Sequence, residues 1–165
     1  SGQSSEFSQN IGTGTSVKWL VGTGARGNEG ISGTVRQLRG SIGYVESAFA
    51  KIGNIPTAML KNKNQKYVSP TMQGFVSAAN NSEFLEGNRF VVDLIDQPGD
   101  DTWPIVSATY ILIPRNGDRS RLVARWIDWA FKNGNEQATR LDYVPLPNQV
   151  QSTIITYLEQ QIASR

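Results

Sequence analysis

Gly22, Gly24 and Gly27 stand at a Gly-x-Gly-x-x-Gly spacing between an apolar run and a helix start. Glu46 follows the last of them by about twenty residues. This is the order of a dinucleotide fingerprint. Backbone amides and a helix N-terminus would cradle a pyrophosphate while the Glu46 carboxylate accepts from a ribose hydroxyl, the groundwork of a nicotinamide-dependent oxidoreductase. The plainer alternative is a turn in which glycine lets the chain reverse tightly out of a strand, with Glu46 at a solvated strand end. Lys18 and Trp19 in the preceding run suit a fully buried central strand poorly. Either way, Gly27 and Asn28 open a helix whose first amides point outward and could line a cleft that faces an anion, although Glu29 would oppose it if charged.

Two other groupings invite chemistry. Asp93, Asp96, Asp100 and Asp101 could divide acid and base roles or hold a hard cation, but Asp96 to Asp101 reads DQPGDD, a string of turn formers without the ligand spacing of a calcium loop. It is read as a loop, with no metal and no catalytic pair. Arg115, Arg119, Arg121 and Arg125 beside Trp126 and Trp129 have the composition of a nucleic-acid face, yet a helix edge with core tryptophans explains them more simply. With sixteen Lys and Arg against fourteen Asp and Glu, the formal charge is +2 over 165 residues, and no nucleic acid is expected as a partner.

Neither cysteine nor histidine occurs. Thiol nucleophiles, Ser-His-Asp triads, Cys/His zinc sites and iron–sulfur clusters are thereby excluded. No apolar run reaches the roughly 20 residues that span a bilayer, and Ser1 to Gln9 is polar rather than a basic head followed by an apolar stretch.

The elements that must position these residues follow from periodicity. Val17 to Val21 reads as a strand, Gly22 to Gly27 as a loop, and Asn28 onward as a helix carrying Ile31, Val35 and Leu38 on one face until Gly40 stops it before a second strand, Ser41 to Glu46. Together they make a βαβ unit and favour a parallel sheet. Ser47 to Lys51 is a short helix, Ala58 to Leu60 a short strand, and Lys61 to Lys66 a solvated turn. Ser69-Pro70 is read as the cap and first position of a helix bearing Met72, Phe75, Val76 and Ala79. Ile105 to Pro114 is the clearest strand and is expected to be buried. Arg119 to Asn133 is a helix whose apolar face, with Leu122, Val123, Trp126, Ile127, Ala130 and Phe131, is wide enough to cover something large. Asn135 to Tyr143 is a short helix. Pro147 to Ser164 closes the chain with Val150, Ile154, Leu158 and Ile162 in one stripe.

Four strings within this order, GTGTSVKWLVGTGARGNEGISGTV, LRGSIGYVESAFAK, DDTWPIVSATYILIP and WIDWAFKNGNEQATRLDYVPLP, resemble the periplasmic phosphate-binding protein of the bacterial phosphate ABC transporter. The resemblance runs from Asn10 to about Ile162, corresponds to the C-terminal half of that family, and turns the glycine fingerprint into a family turn. It implies an α/β fold of the type II periplasmic-binding-protein kind, one α/β lobe plus the returning part of the other. Residues 1–10 would be a non-matching segment or cut end, 11–102 a second-lobe segment, and 103–165 the segment returning to the first lobe.

The implied function is binding rather than catalysis, without a cofactor: capture of inorganic phosphate in the periplasm or cell envelope and delivery to a membrane permease. The family's phosphate contacts would lie mostly upstream. Of its Arg-x-Asp-Gly-Ser-Gly-Thr motif only Ser1 and Gly2 match, and Gln3 stands where the motif has threonine. A chain with so few of the donors is expected to bind phosphate weakly or not at all by itself, and to expose apolar surface that a complementary chain or a second copy would cover. The remaining alternative is a structural half-domain without a ligand.

Overall fold

The computed structural model describes residues 4–14, 17–82, 90–114, 117 and 119–163, with side chains to 161. The chain divides into two compact units, Ser1–Phe49 and Ala50–Arg165.

In the first unit, α1 (Ser5–Asn10) starts where the Ser4 hydroxyl accepts from the Phe7 amide at 3.1 Å, satisfying one of the donors a helix start leaves free. The Phe7 ring meets Trp19 edge-on, with centroids 6.0 Å apart. Helix α2 (Gly27–Gln37) forms one residue ahead of the expected start. Its apolar face lies on the extended segment 41–46: a Cβ on Gly43 would come within 2.8 Å of Ile31 Cγ2 and 2.9 Å of Val35 Cγ2, so glycine is what lets the helix approach. Helix α3 (Ser47–Ile52) follows as expected.

The expected parallel sheet does not form among the described residues. Among the described residues the sheet is one antiparallel pair, β1 (Leu60–Lys61) with β2 (Tyr67–Val68), in which Leu60 faces Val68 and Lys61 faces Tyr67. Residues 17–21, 41–46 and 105–114 belong to no strand, and the chain bends at 20 and 21. Among the described residues nearly all of the regular secondary structure is helix. Strand propensity describes how well a side chain fits a pleated surface, and it makes a strand only where a neighbour takes up the amides and carbonyls. The burial expected for 105–114 also fails: Ile105, Tyr110 and Ile111 are exposed, and Leu112 is 93% exposed.

In the second unit, α4 (Met72–Asn80) begins two residues later than the Ser69-Pro70 reading. The cap is Thr71, whose hydroxyl accepts from the Gly74 amide at 3.2 Å. Gly74, Ala78 and Ala79 are its buried residues. Small side chains there let a loop close in, and the Trp103 amide donates to the Gly74 carbonyl at 3.2 Å.

Helix α5 (Ser120–Asn133) is anchored at its start by the buried Ser120 hydroxyl, which donates to the Pro114 carbonyl at 2.6 Å, and it packs on α7 (Asn148–Ala163) with Ile127 buried. The wide apolar face is only partly used. Trp126 and Trp129, expected in the core, are 56% and 60% exposed, and Leu122 is exposed too. Helix α6 (Asn135–Arg140) is tied to the start of α7 through Gln151, whose amide nitrogen donates to the Leu146 carbonyl at 2.8 Å and to Asn135 Oδ1 at 3.3 Å. Of the expected α7 stripe, Val150, Ile154 and Leu158 are half-buried, and the Ile162 side chain lies outside the described set.

Candidate functional site

The start of α2 is the one sequence-derived site among the described residues. Ser1 and Gly2 lie outside them. Gly27 opens the helix at φ +67, a left-handed value that side chains disfavour, and the chain turns there from the extended Arg26 into the helix. Asn28 Oδ1 accepts from the Glu46 amide at 3.0 Å, joining the start of the helix to the far end of the expected second strand. Glu29 Oε2 lies 3.3 Å from where a Gly27 Cβ would be, placing a carboxylate at the positive end of the helix. The first turn thus carries its own negative group.

Gly22 has φ +109, with open space around it, as has Gly24. The dinucleotide arrangement needs a paired strand leading into the glycine loop, and 17–21 is unpaired. Glu46 meets α2 through its backbone amide. The glycine spacing here builds a turn.

The aspartates are turn residues, as read. Asp93 Oδ1 accepts from the Ile95 amide at 2.9 Å, Asp96 has φ +49, and among the described residues no group of three acidic side chains could hold a metal ion. Arg115 lies outside the described residues, and Arg119, Arg121 and Arg125 are exposed.

Sequence reasoning missed the best-built polar constellation. Asn62, in the turn read as solvated, is 3% exposed, and Thr102 is 0% exposed. The Asn62 amide nitrogen donates to the carbonyls of Gly99 (3.0 Å), Asp100 (2.9 Å) and Thr102 (3.2 Å), while its Oδ1 accepts from the Lys66 amide at 3.0 Å. Thr102 Oγ1 donates its one proton to the Pro98 carbonyl at 2.8 Å. It must therefore accept from Ser77 Oγ at 2.6 Å, and Ser77 in turn accepts from the Asn81 amide nitrogen at 3.2 Å. Asn64 donates to Asp100 Oδ1 at 2.9 Å and accepts from the Gly99 amide at 3.3 Å. The legible signal was the pairing of an amide-rich turn with a carbonyl-rich one. Its two buried side chains, Asn62 and Thr102, bond groups of the protein itself, which makes it a structural clasp.

A recess of about 250 Å³ opens between α4 and α7, lined by uncharged residues including Ala79, Ser82, Phe90, Pro147 and Thr153. Among the described residues, its lining holds no cation. Phe90 beside it meets Tyr157 edge-on at 5.4 Å. Among the described residues, no helix is long and apolar enough to cross a membrane.

No family model matches the chain. Individual relatives do, and several of them are named phosphate-binding proteins. The chain is 40% identical over 154 residues to phosphate-binding protein PstS of Haemophilus influenzae, covering 92% of this chain and 46% of that protein. It is 38% identical over 164 residues to the protein of the same name from Pasteurella multocida, covering 98% and 48%, and 36% identical over 157 residues to that of Xylella fastidiosa, covering 93% and 43%. The chain is homologous to the phosphate-binding protein PstS family. It spans about half the length of the curated relatives it matches. By name these relatives are binding proteins rather than enzymes.

Proposed function

We propose that the chain is a segment of the substrate-binding component of a phosphate ABC transporter, which captures inorganic phosphate in the periplasm or cell envelope and delivers it to a membrane permease. The observation that carries this is the identity of 40% sustained over 92% of the chain with a phosphate-binding protein. In this reading the fold is part of a type II binding protein. Residues 11–102 belong to the second lobe and 103–165 return to the first. Gly27 and Asn28 line the cleft, and Ser1 and Gly2 are the chain's share of the phosphate grip.

The rest of the grip comes from the remainder of the binding protein. A desolvated dianion needs charge-assisted donors, each worth about 1.5–3 kcal/mol, and this chain has neither the arginine nor the aspartate of the family motif. The exposed apolar side chains of 105–112 and α5 face that remainder, supplied as a complementary chain or by a second copy.

Replacing the matched 154-residue stretch of the Haemophilus influenzae protein by this chain tests the proposal. The hybrid, folded by circular dichroism, should bind phosphate with a micromolar or tighter Kd in calorimetry, and sulfate should not compete. A folded hybrid that ignores phosphate overturns the reading. The 165-residue chain alone should give no saturable heat with phosphate, and a micromolar Kd there would overturn the placement of the grip outside it.

A further inference from the structure

We infer that the Asn62–Thr102 clasp is a conformational anchor: it makes residues 60–82 and 90–104 the fixed frame of their unit and confines bending to the segment that begins at Ile105. The inference is independent of the phosphate reading, because it rests on where hydrogen bonds start and stop along the chain.

On the fixed side, remote segments are joined through buried polar atoms. Asn62 reaches across to the carbonyls of three residues of the 99–102 loop. The Thr102 hydroxyl links that loop to α4 through Ser77, and the Trp103 amide links it again through the Gly74 carbonyl. The Pro104 carbonyl accepts from the Asp96 amide at 2.9 Å and closes the loop on itself. Opening any one of these strands a buried polar group, so they hold or release together.

Immediately beyond Pro104 the pattern ends. Among the described residues, no backbone hydrogen bond is donated by the amides of Ile105–Ile113. The segment is held at a midpoint, where the Tyr110 hydroxyl meets the Val92 amide (3.2 Å) and carbonyl (3.4 Å), and at its far end, where Ser120 bonds the Pro114 carbonyl. Thr102 is 0% exposed and Leu112 93%. Local opening free energy follows buried contacts and protected backbone bonds, so the two sides of Pro104 belong to different classes of stability.

Amide hydrogen exchange on the 165-residue chain tests this. After correction for intrinsic rates, the amides of Asn62, Lys66, Thr102 and Trp103 should exchange at least 100-fold more slowly than those of 105–113. Thr102→Val keeps the shape but removes the hydroxyl, and it should speed exchange across 96–104 at least tenfold while leaving α5 and α7 unchanged. Thr102→Ser, which keeps the hydroxyl, should restore rates to within about threefold. Equal protection on the two sides of Pro104 overturns the inference, as do Val and Ser variants that behave alike. Should the Val variant fail to fold, Asn64→Ala serves instead. It removes only the exposed bond to Asp100 and the acceptor for the Gly99 amide, and unchanged exchange at 99–101 in that variant counts against the anchor.

Discussion

Residues 60–104 and residues 105–129 are neighbours in sequence and opposites in physics. The first stretch is rich in Asn, Asp, Gly and Pro and looks like loop, yet it holds the most thoroughly bonded polar atoms described in the chain. The second is rich in Ile, Leu, Tyr and Trp and looks like core, yet much of it faces outward. The difference teaches that residue type sets what a side chain needs, whereas burial depends on whether the need is met by something in reach. Asn62 finds three carbonyls in reach, and Leu112 is left at the surface.

The contrast breaks most readily at Gly99. Its φ of +125 suits glycine alone, and a Cβ there would stand 2.3 Å from Thr102 Oγ1 and 2.7 Å from Asn81 Nδ2. Gly99→Ala should therefore cost about 2–5 kcal/mol from backbone strain plus overpacking, read as a lower midpoint in urea denaturation. A variant with an unchanged midpoint would mean that the loop can rearrange, and that the clasp is not rigid. Thr71→Ala removes the cap of α4 without touching the clasp, and the expected loss is about 1 kcal/mol by the same measurement. A loss as large as that at Gly99 would show that the helix start and the clasp are one cooperative unit. The smallest effect is expected on the apolar side. Trp126→Gln should change the stability of the chain by no more than about 0.5 kcal/mol while reducing the binding of an apolar dye. A loss of several kcal/mol would place Trp126 in a packed core and erase the contrast.

Much of the local structure was legible. The four-and-three spacing of Ile31, Val35 and Leu38 located α2, and the apolar positions from Leu122 to Phe131 located α5. The string of turn formers at 96–101 was a turn. Caps were harder. Ser69-Pro70 was read as cap and first position, but it is Thr71 that has its hydroxyl where the third amide of the helix arrives. Three of the four expected strands, 17–21, 41–46 and 105–114, form no ladder among the described residues for one shared reason: alternation and β-branching record a preference, and a ladder needs a second strand that no local window contains. At the candidate site, the glycine spacing was visible and its use was not. Asn28 is committed to Glu46, and Glu29 answers the helix dipole.

The order of residues by itself determined which stretches form helices, the absence of thiol and imidazole chemistry, and the kinship with phosphate-binding proteins. Each of those is a property of neighbouring residues or of the string as a string. Tertiary structure alone decided which polar side chains became buried and which apolar ones stayed outside. Asn62 and Thr102 lie 40 residues apart, and their bond exists only because the turn and the loop are brought together. Solvent exposure is a relation between distant segments, which local preference does not encode.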